Sequence, residues 1–214
     1  MTTAFSSILS RWRWSGLLTT LLVAMFFSTA AGDSTPNQVV TMVLYALVFA
    51  GTLHAAHMAP LFRYVGIALV ALWILVALSA AFGLGSYLGM LFTLLTTCII
   101  LGCLVVTISE LAHNREAGLD PILGAVFGYF LIGVTWSLLY GQIEIEVPGS
   151  FNLPSDRPTP SEFVYFSLVT MTTLGYGDIS PAGPIPRLLA GIQAVVGTIY
   201  IAVFVGRIVG RFKE

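Results

Sequence analysis

Apolar residues run along this chain in stretches long enough to cross a bilayer, and polar residues gather in the joints between them. Spanning the hydrocarbon takes roughly 20 mainly apolar residues. Six runs predict such helices, near 15–32, 37–59, 62–82, 87–109, 121–141 and 187–210. Short connections such as Gly32-Asp33-Ser34-Thr35-Pro36-Asn37 and Gly83-Leu84-Gly85-Ser86 separate the first four, as adjacent membrane helices are joined. Those four read as one bundle. The connection between the fifth and sixth differs. Pro148, Pro154, Pro158 and Pro160 follow Gln142, and then a shorter apolar run extends from Phe163 to Met171. Ser161 and Glu162 behind Pro160 read as a helix start. A run this short that enters a membrane reads as a re-entrant segment, whose irregular backbone must be buried in protein or face a water-filled cavity.

Composition agrees with this pattern. Of 214 residues 57% are hydrophobic and 9% charged, against roughly 25% charged in soluble domains, so the class is an all-α membrane protein. The net charge of −1 says less than where the charges fall. With the N-terminus inside and six crossings, Arg11, Arg13, Arg63, Arg115, Arg207, Arg211 and Lys213 are cytoplasmic, and only Arg157 and Arg187 lie outside. This is the positive-inside pattern, and it predicts a multi-pass cell-membrane protein with both termini cytoplasmic. The first run also fits a secretory signal peptide, with Arg11 and Arg13 before an apolar core that ends in Ser28-Thr29-Ala30-Ala31; we read it as retained.

The re-entrant segment ends in Thr172-Thr173-Leu174-Gly175-Tyr176-Gly177-Asp178. An ion crossing a bilayer must exchange its water for equally good oxygens. Successive backbone carbonyls supply them if they face one way, which requires conformations that Gly reaches without a Cβ penalty. Gly175 and Gly177, alternating with Leu174 and Tyr176, meet that need. Leu174 and Tyr176 are expected to point outward and wedge the loop against its own short helix, while the Thr173 hydroxyl adds oxygens at the inner end.

These residues resemble the potassium channel signature Thr-Val-Gly-Tyr-Gly-Asp, and the helix, re-entrant loop, helix order over about 121–211 resembles that family's two-helix pore domain. Leu174 stands where Val is usual. The resemblance implies K⁺ coordination by the carbonyls of Thr173, Leu174, Gly175 and Tyr176, with Gly177 completing the filter. Thr172 and Asp178 would support it, with Tyr165 donating to Asp178. It also implies an inner helix with a hinge at Gly197 and with Thr198, Ile201 and Val205 facing a cavity or gate. Val169 occupies the place of a Glu that controls inactivation in some relatives. One loop is a quarter of a carbonyl ring, so a homotetramer is implied, with K⁺ and lipid as its partners, no nucleic acid and no cofactor.

The expected organisation is a four-helix membrane bundle over 1–111, a cytoplasmic linker over 112–120 and a pore domain over 121–214. The fourth run, Tyr87 to Ser109, contains no Lys or Arg, so steep voltage gating is not expected. No cytoplasmic ligand-binding domain is expected after the last helix. Glu144, Glu146, Asp156 and Glu162 are read as an acidic outer mouth that concentrates cations. Gly175-Tyr176-Gly177-Asp178 also fits the Gly-x-Gly-Asp pattern of intramembrane aspartyl proteases, but these need a second carboxylate sharing a proton. Asp33, Asp120 and Asp156 lie in loops or at a membrane edge, so no enzyme is expected. His54 and His57 read as polar anchors, Trp12 and Trp14 as interfacial anchors, and Cys98 and Cys103, about 140° apart on a helix, as apolar fillers.

Overall fold

The computed structural model describes residues 13–30, 35–55, 60–81, 88–113, 118–154 and 159–211. They form α1 (Arg13–Ala30), α2 (Thr35–Ala55), α3 (Pro60–Ala81), α4 (Leu88–His113), α5 (Leu119–Glu146), β1 (Phe151–Asn152), α6 (Pro160–Met171), β2 (Ser180–Pro181) and α7 (Pro184–Arg211). Among the described residues three helical stretches are long and apolar enough to cross a membrane: Leu91–His113, Leu119–Glu146 and Pro184–Phe204. Val39–Ala55 and Arg63–Ser79 are shorter apolar helices. The fold is thus all-α and suited to a bilayer.

The chain divides into two compact units, Met1–Gly128 and Tyr129–Glu214. In the first unit Trp73 joins α3 to its neighbours. Its ring meets Phe49 edge-on at 5.5 Å and stacks on Phe92 at 5.7 Å, and its Nε1 donates to Thr96 Oγ1 at 2.7 Å, so the one polar atom of a buried indole is satisfied. At the start of α1, Arg13 donates to the Ala55 carbonyl at 2.7 Å and to Glu110 at 2.9 Å. Asp120 accepts from the Trp14 amide at 3.1 Å, which satisfies a helix-start donor. Trp14 is no interfacial anchor. It is fully buried, seated against Gly124 and 6.0 Å from the Phe127 ring. Trp12 and His57 lie outside the described residues. His54 is exposed, and both cysteines are free.

The second unit holds the re-entrant element. Here α6 begins one turn earlier than the apolar pattern alone suggests. Its N-cap is Thr159 rather than Ser161, with Pro160 in the first turn, where proline's missing N–H costs nothing. The Thr159 amide donates to Glu162 Oε2 at 2.6 Å, half of a capping box. Behind α6 lies a core of Tyr140, Phe151, Phe163, Phe166 and Ile179. Phe166 meets Tyr140 at 5.1 Å and Phe151 at 5.4 Å, both near edge-to-face, the arrangement ring quadrupoles favour. Two short antiparallel strands, which the apolar pattern did not signal, pair Phe151 with Pro181 and Asn152 with Ser180. Helix α5 continues past the apolar run to Glu146, and Gln142 Nε2 donates to Glu146 Oε1 at 2.9 Å in that polar extension.

Candidate functional site: a re-entrant loop with alternating backbone hand

Residues 172–178 follow α6 as an extended loop. Among the described residues Thr173 is the only non-glycine with positive φ, at 60°, and Gly175 and Gly177 follow at 55° and 82°. Every second residue is therefore left-handed. This alternation is the backbone condition for turning successive carbonyls to one side, and a β-branched residue there is held against its own preference. The sequence identified the two glycines. Thr173 was missed as the third left-handed position because nothing in a threonine's composition signals positive φ.

The loop's position is set by the carbonyls at the C-terminal end of α6. Val169 O accepts from the Leu174 amide at 3.0 Å and the Gly175 amide at 3.3 Å, and Thr173 donates to Thr170 O at 3.0 Å. Thr172 Oγ1 donates to Leu168 O at 2.8 Å. Met171 O accepts from the Tyr129 hydroxyl of α5 at 3.1 Å. On the outer side Ile179 is buried in the aromatic core, and Asp178 accepts from the Tyr165 hydroxyl at 2.6 Å.

That hydrogen bond holds the Asp178 carboxyl below the usual carboxylate range, aided by the Ile179 amide. Tyr165 is pushed up to about 12, first by the same bond and then by desolvation and the neighbouring charge. A depressed acid contributes above its ordinary range and loses that contribution as pH falls through the folded-state value. A raised tyrosine loses its contribution as pH rises through its own. The brace is therefore intact from below the usual carboxylate range to about pH 12. Tyr165→Phe is expected to move the acid loss of ion flux upward, toward the ordinary carboxylate range, in a titration of external pH; an unmoved titration would remove the brace.

Leu174 and Tyr176 are 55% and 66% exposed in the single chain. Gly197 lies against α6, and a Cβ there would overlap the backbone of Met171 and come within 2.5 Å of its Cγ. Thr198 and Ile201 are exposed, and Thr198 Oγ1 donates to its own helix at Ala194 O, 2.9 Å away. The Val205 side chain and Asp156 lie outside the described residues. Glu144 is committed to the fold, since its two oxygens accept from the Gly149 amide at 2.8 Å and the Phe151 amide at 3.0 Å. Glu144→Ala is expected to cost about 1–3 kcal/mol of stability, read by thermal denaturation. Glu146→Gln is expected to leave stability unchanged and lower flux only at low ionic strength.

Sequence reasoning missed one further group. Gln193 is fully buried in α7. It accepts from the Tyr140 hydroxyl at 2.7 Å and donates to Ser167 O at 3.1 Å and Ser167 Oγ at 2.7 Å. Ser167 Oγ in turn donates to Gly133 O at 2.6 Å. The signal was available: an amide in the middle of an apolar membrane run is costly unless it is used.

Two membrane-length helices, a short helix between them that stops at a left–right alternating loop, and a braced outer end make up the second unit. Residues 124–214 match the ion channel family, and parts of the chain are similar to potassium channels. It is 44% identical over 55 residues to a potassium voltage-gated channel protein of Caenorhabditis elegans, covering 26% of this chain and 10% of that one. It is 36% identical over 90 residues to an inward rectifier potassium channel of Paramagnetospirillum magnetotacticum, covering 40% and 28%. To a voltage-gated potassium channel of Aeropyrum pernix it is 28% identical over 87 residues, covering 40% and 30%. The chain thus spans at most about a third of each relative's length. The family is one of channels, a non-enzyme class.

Proposed function

We propose that the protein conducts K⁺ passively across a membrane through a pore made by four copies, with the carbonyls of Thr173, Leu174, Gly175 and Tyr176 replacing the ion's water. The observation that carries this reading is the run of positive φ at Thr173, Gly175 and Gly177. Two further features support assembly. Leu174 and Tyr176 leave their side chains without cover in one chain. Ile185, Leu188, Ile192, Val195 and Ile199 of α7 are all exposed, and they recur at the spacing of an interhelical seam. A second copy would cover both.

Six crossings with cytoplasmic termini and division into bundle, linker and pore remain the organisation we propose, with Thr198, Ile201 and Val205 toward the cavity. The test is a bi-ionic reversal potential with purified protein in a planar bilayer. A large shift when Na⁺ replaces K⁺ is expected, and equal permeability would leave a poorly selective cation channel. Open probability is expected to vary weakly with voltage. Moving one charge through the field is worth about 2.3 kcal/mol per 100 mV, and α4 carries no Lys or Arg. A steep conductance–voltage curve that is unaffected by the permeant ion would overturn that expectation.

A further inference from the structure

We infer that Gln193, with Tyr140 and Ser167, is a positioning device for the pore: it fixes the height of α6 between α5 and α7 and, through α6, the place of the filter carbonyls. The inference rests on the conduction proposed above.

The geometry is a closed polar chain through an apolar interior. Tyr140 on α5, Ser167 on α6 and Gln193 on α7 are all buried. The Gln193 amide joins the other two side chains, accepting a hydrogen bond from the Tyr140 hydroxyl at its oxygen and donating to Ser167 O and Oγ from its nitrogen. Ser167 Oγ in turn donates to Gly133 O on α5. One short helix is thereby tied to both long helices by directional bonds. Apolar packing fixes spacing between helices well and sliding along them poorly; hydrogen bonds of defined length resist sliding. A shift of α6 along its axis would break this set at Ser167.

The same shift would reach the loop. Ser167 lies two residues before Val169, whose carbonyl takes the amides of Leu174 and Gly175. One turn further on, Met171 is held by Tyr129 and pressed by Gly197. Within one chain, the backbone hydrogen bonds that hold Leu174 and Gly175 thus come from α6. A merely structural amide would lower stability when lost and leave conduction untouched. A positioning amide would make the ordered filter harder to maintain, and an ion that binds only the ordered filter would restore it by mass action.

The experiment compares wild-type, Gln193→Leu, Tyr140→Phe and Ser167→Ala full-length channels in planar bilayers, at low and high K⁺. Each variant leaves a buried partner unpaired, and K⁺ current at low K⁺ is expected to decay about tenfold faster than wild type. High K⁺ should reverse the loss. Gln193→Leu combined with Ser167→Ala should be no worse than Gln193→Leu alone, since both remove one connection. Additive effects, decay indifferent to K⁺, or unaltered currents would each overturn the inference. Should Gln193→Leu fail to assemble, Tyr140→Phe, which removes one hydroxyl and keeps the ring, decides alone. A wild-type protein without K⁺-selective current would overturn the conduction reading, and this inference with it. Wild-type current with unaltered variants would sink only the role of the network.

Discussion

Replacement of Gly177 by Ala is expected to abolish the preference for K⁺ over Na⁺ while the helices still fold and insert. Gly177 has φ of 82° and nothing within 4 Å of where a Cβ would sit in its own chain. The penalty is therefore conformational rather than steric crowding. An L-residue held left-handed costs roughly 1–2 kcal/mol, once for each copy of the proposed ring. The loop can relieve that by rotating the peptide, which turns one carbonyl away from the ion. Tyr176→Ala is expected to have a similar effect by a different route, because it removes the exposed ring that the proposed assembly would cover. Rb⁺ uptake with Na⁺ competition measures both. Unchanged selectivity in the two variants would remove the filter assignment.

Much of this site was readable in advance, and the reasons are specific. Gly175, Gly177 and Asp178 announce themselves because glycine reaches the required backbone without a Cβ penalty and because a carboxylate beside a membrane is conspicuous. Tyr165 was legible by resemblance alone. The geometry at Thr173 was not legible, since its handedness comes from amides held by the end of α6 rather than from its own side chain. Glu144 was misread for a related reason. Its charge suggested a field acting on ions, whereas its two oxygens are spent on the backbone of the turn before β1. Trp14 shows the same limit, because proximity to arginines does not say whether an indole faces lipid headgroups or a neighbouring helix. The fold class followed from apolar run length. The short strands did not, because two residues each carry no periodicity.

Gly197→Ala is expected to do more damage than a hinge glycine should, and of a different kind. The added methyl would overlap the Met171 backbone, and a backbone atom cannot swing aside as a side-chain tip can. Overpacking of this sort costs typically about 1–3 kcal/mol, again once per copy. Because the contact is with the last residue of α6, the strain falls on the segment that positions the filter. A lower thermal transition together with lost flux is the expected outcome. Gly191→Ala is the control: nothing lies within 4 Å of its Cβ position, so the substitution should gain up to about 1 kcal/mol of helix stability. If Gly197→Ala kept wild-type stability and altered only open probability, flexibility at this position, not close approach to α6, would be its purpose.

The pairing of Phe151 with Pro181 and Asn152 with Ser180 makes residues 153–179, short helix and filter included, a closed loop pinned at its neck. Closing a loop costs entropy that grows slowly with its length, about 0.6 kcal/mol for each doubling. Additional residues before Thr159 would accordingly be cheap, whereas cutting the neck would release the whole loop. Such a closure also has a place in time. The pairing is non-local, joining strands that follow α5 and precede α7. Non-local pairing forms slowly, so weakening the neck, for instance through the Asn152 side chain that donates to Ser180 Oγ at 3.0 Å, is expected to slow folding of this unit more than it alters the proposed conduction.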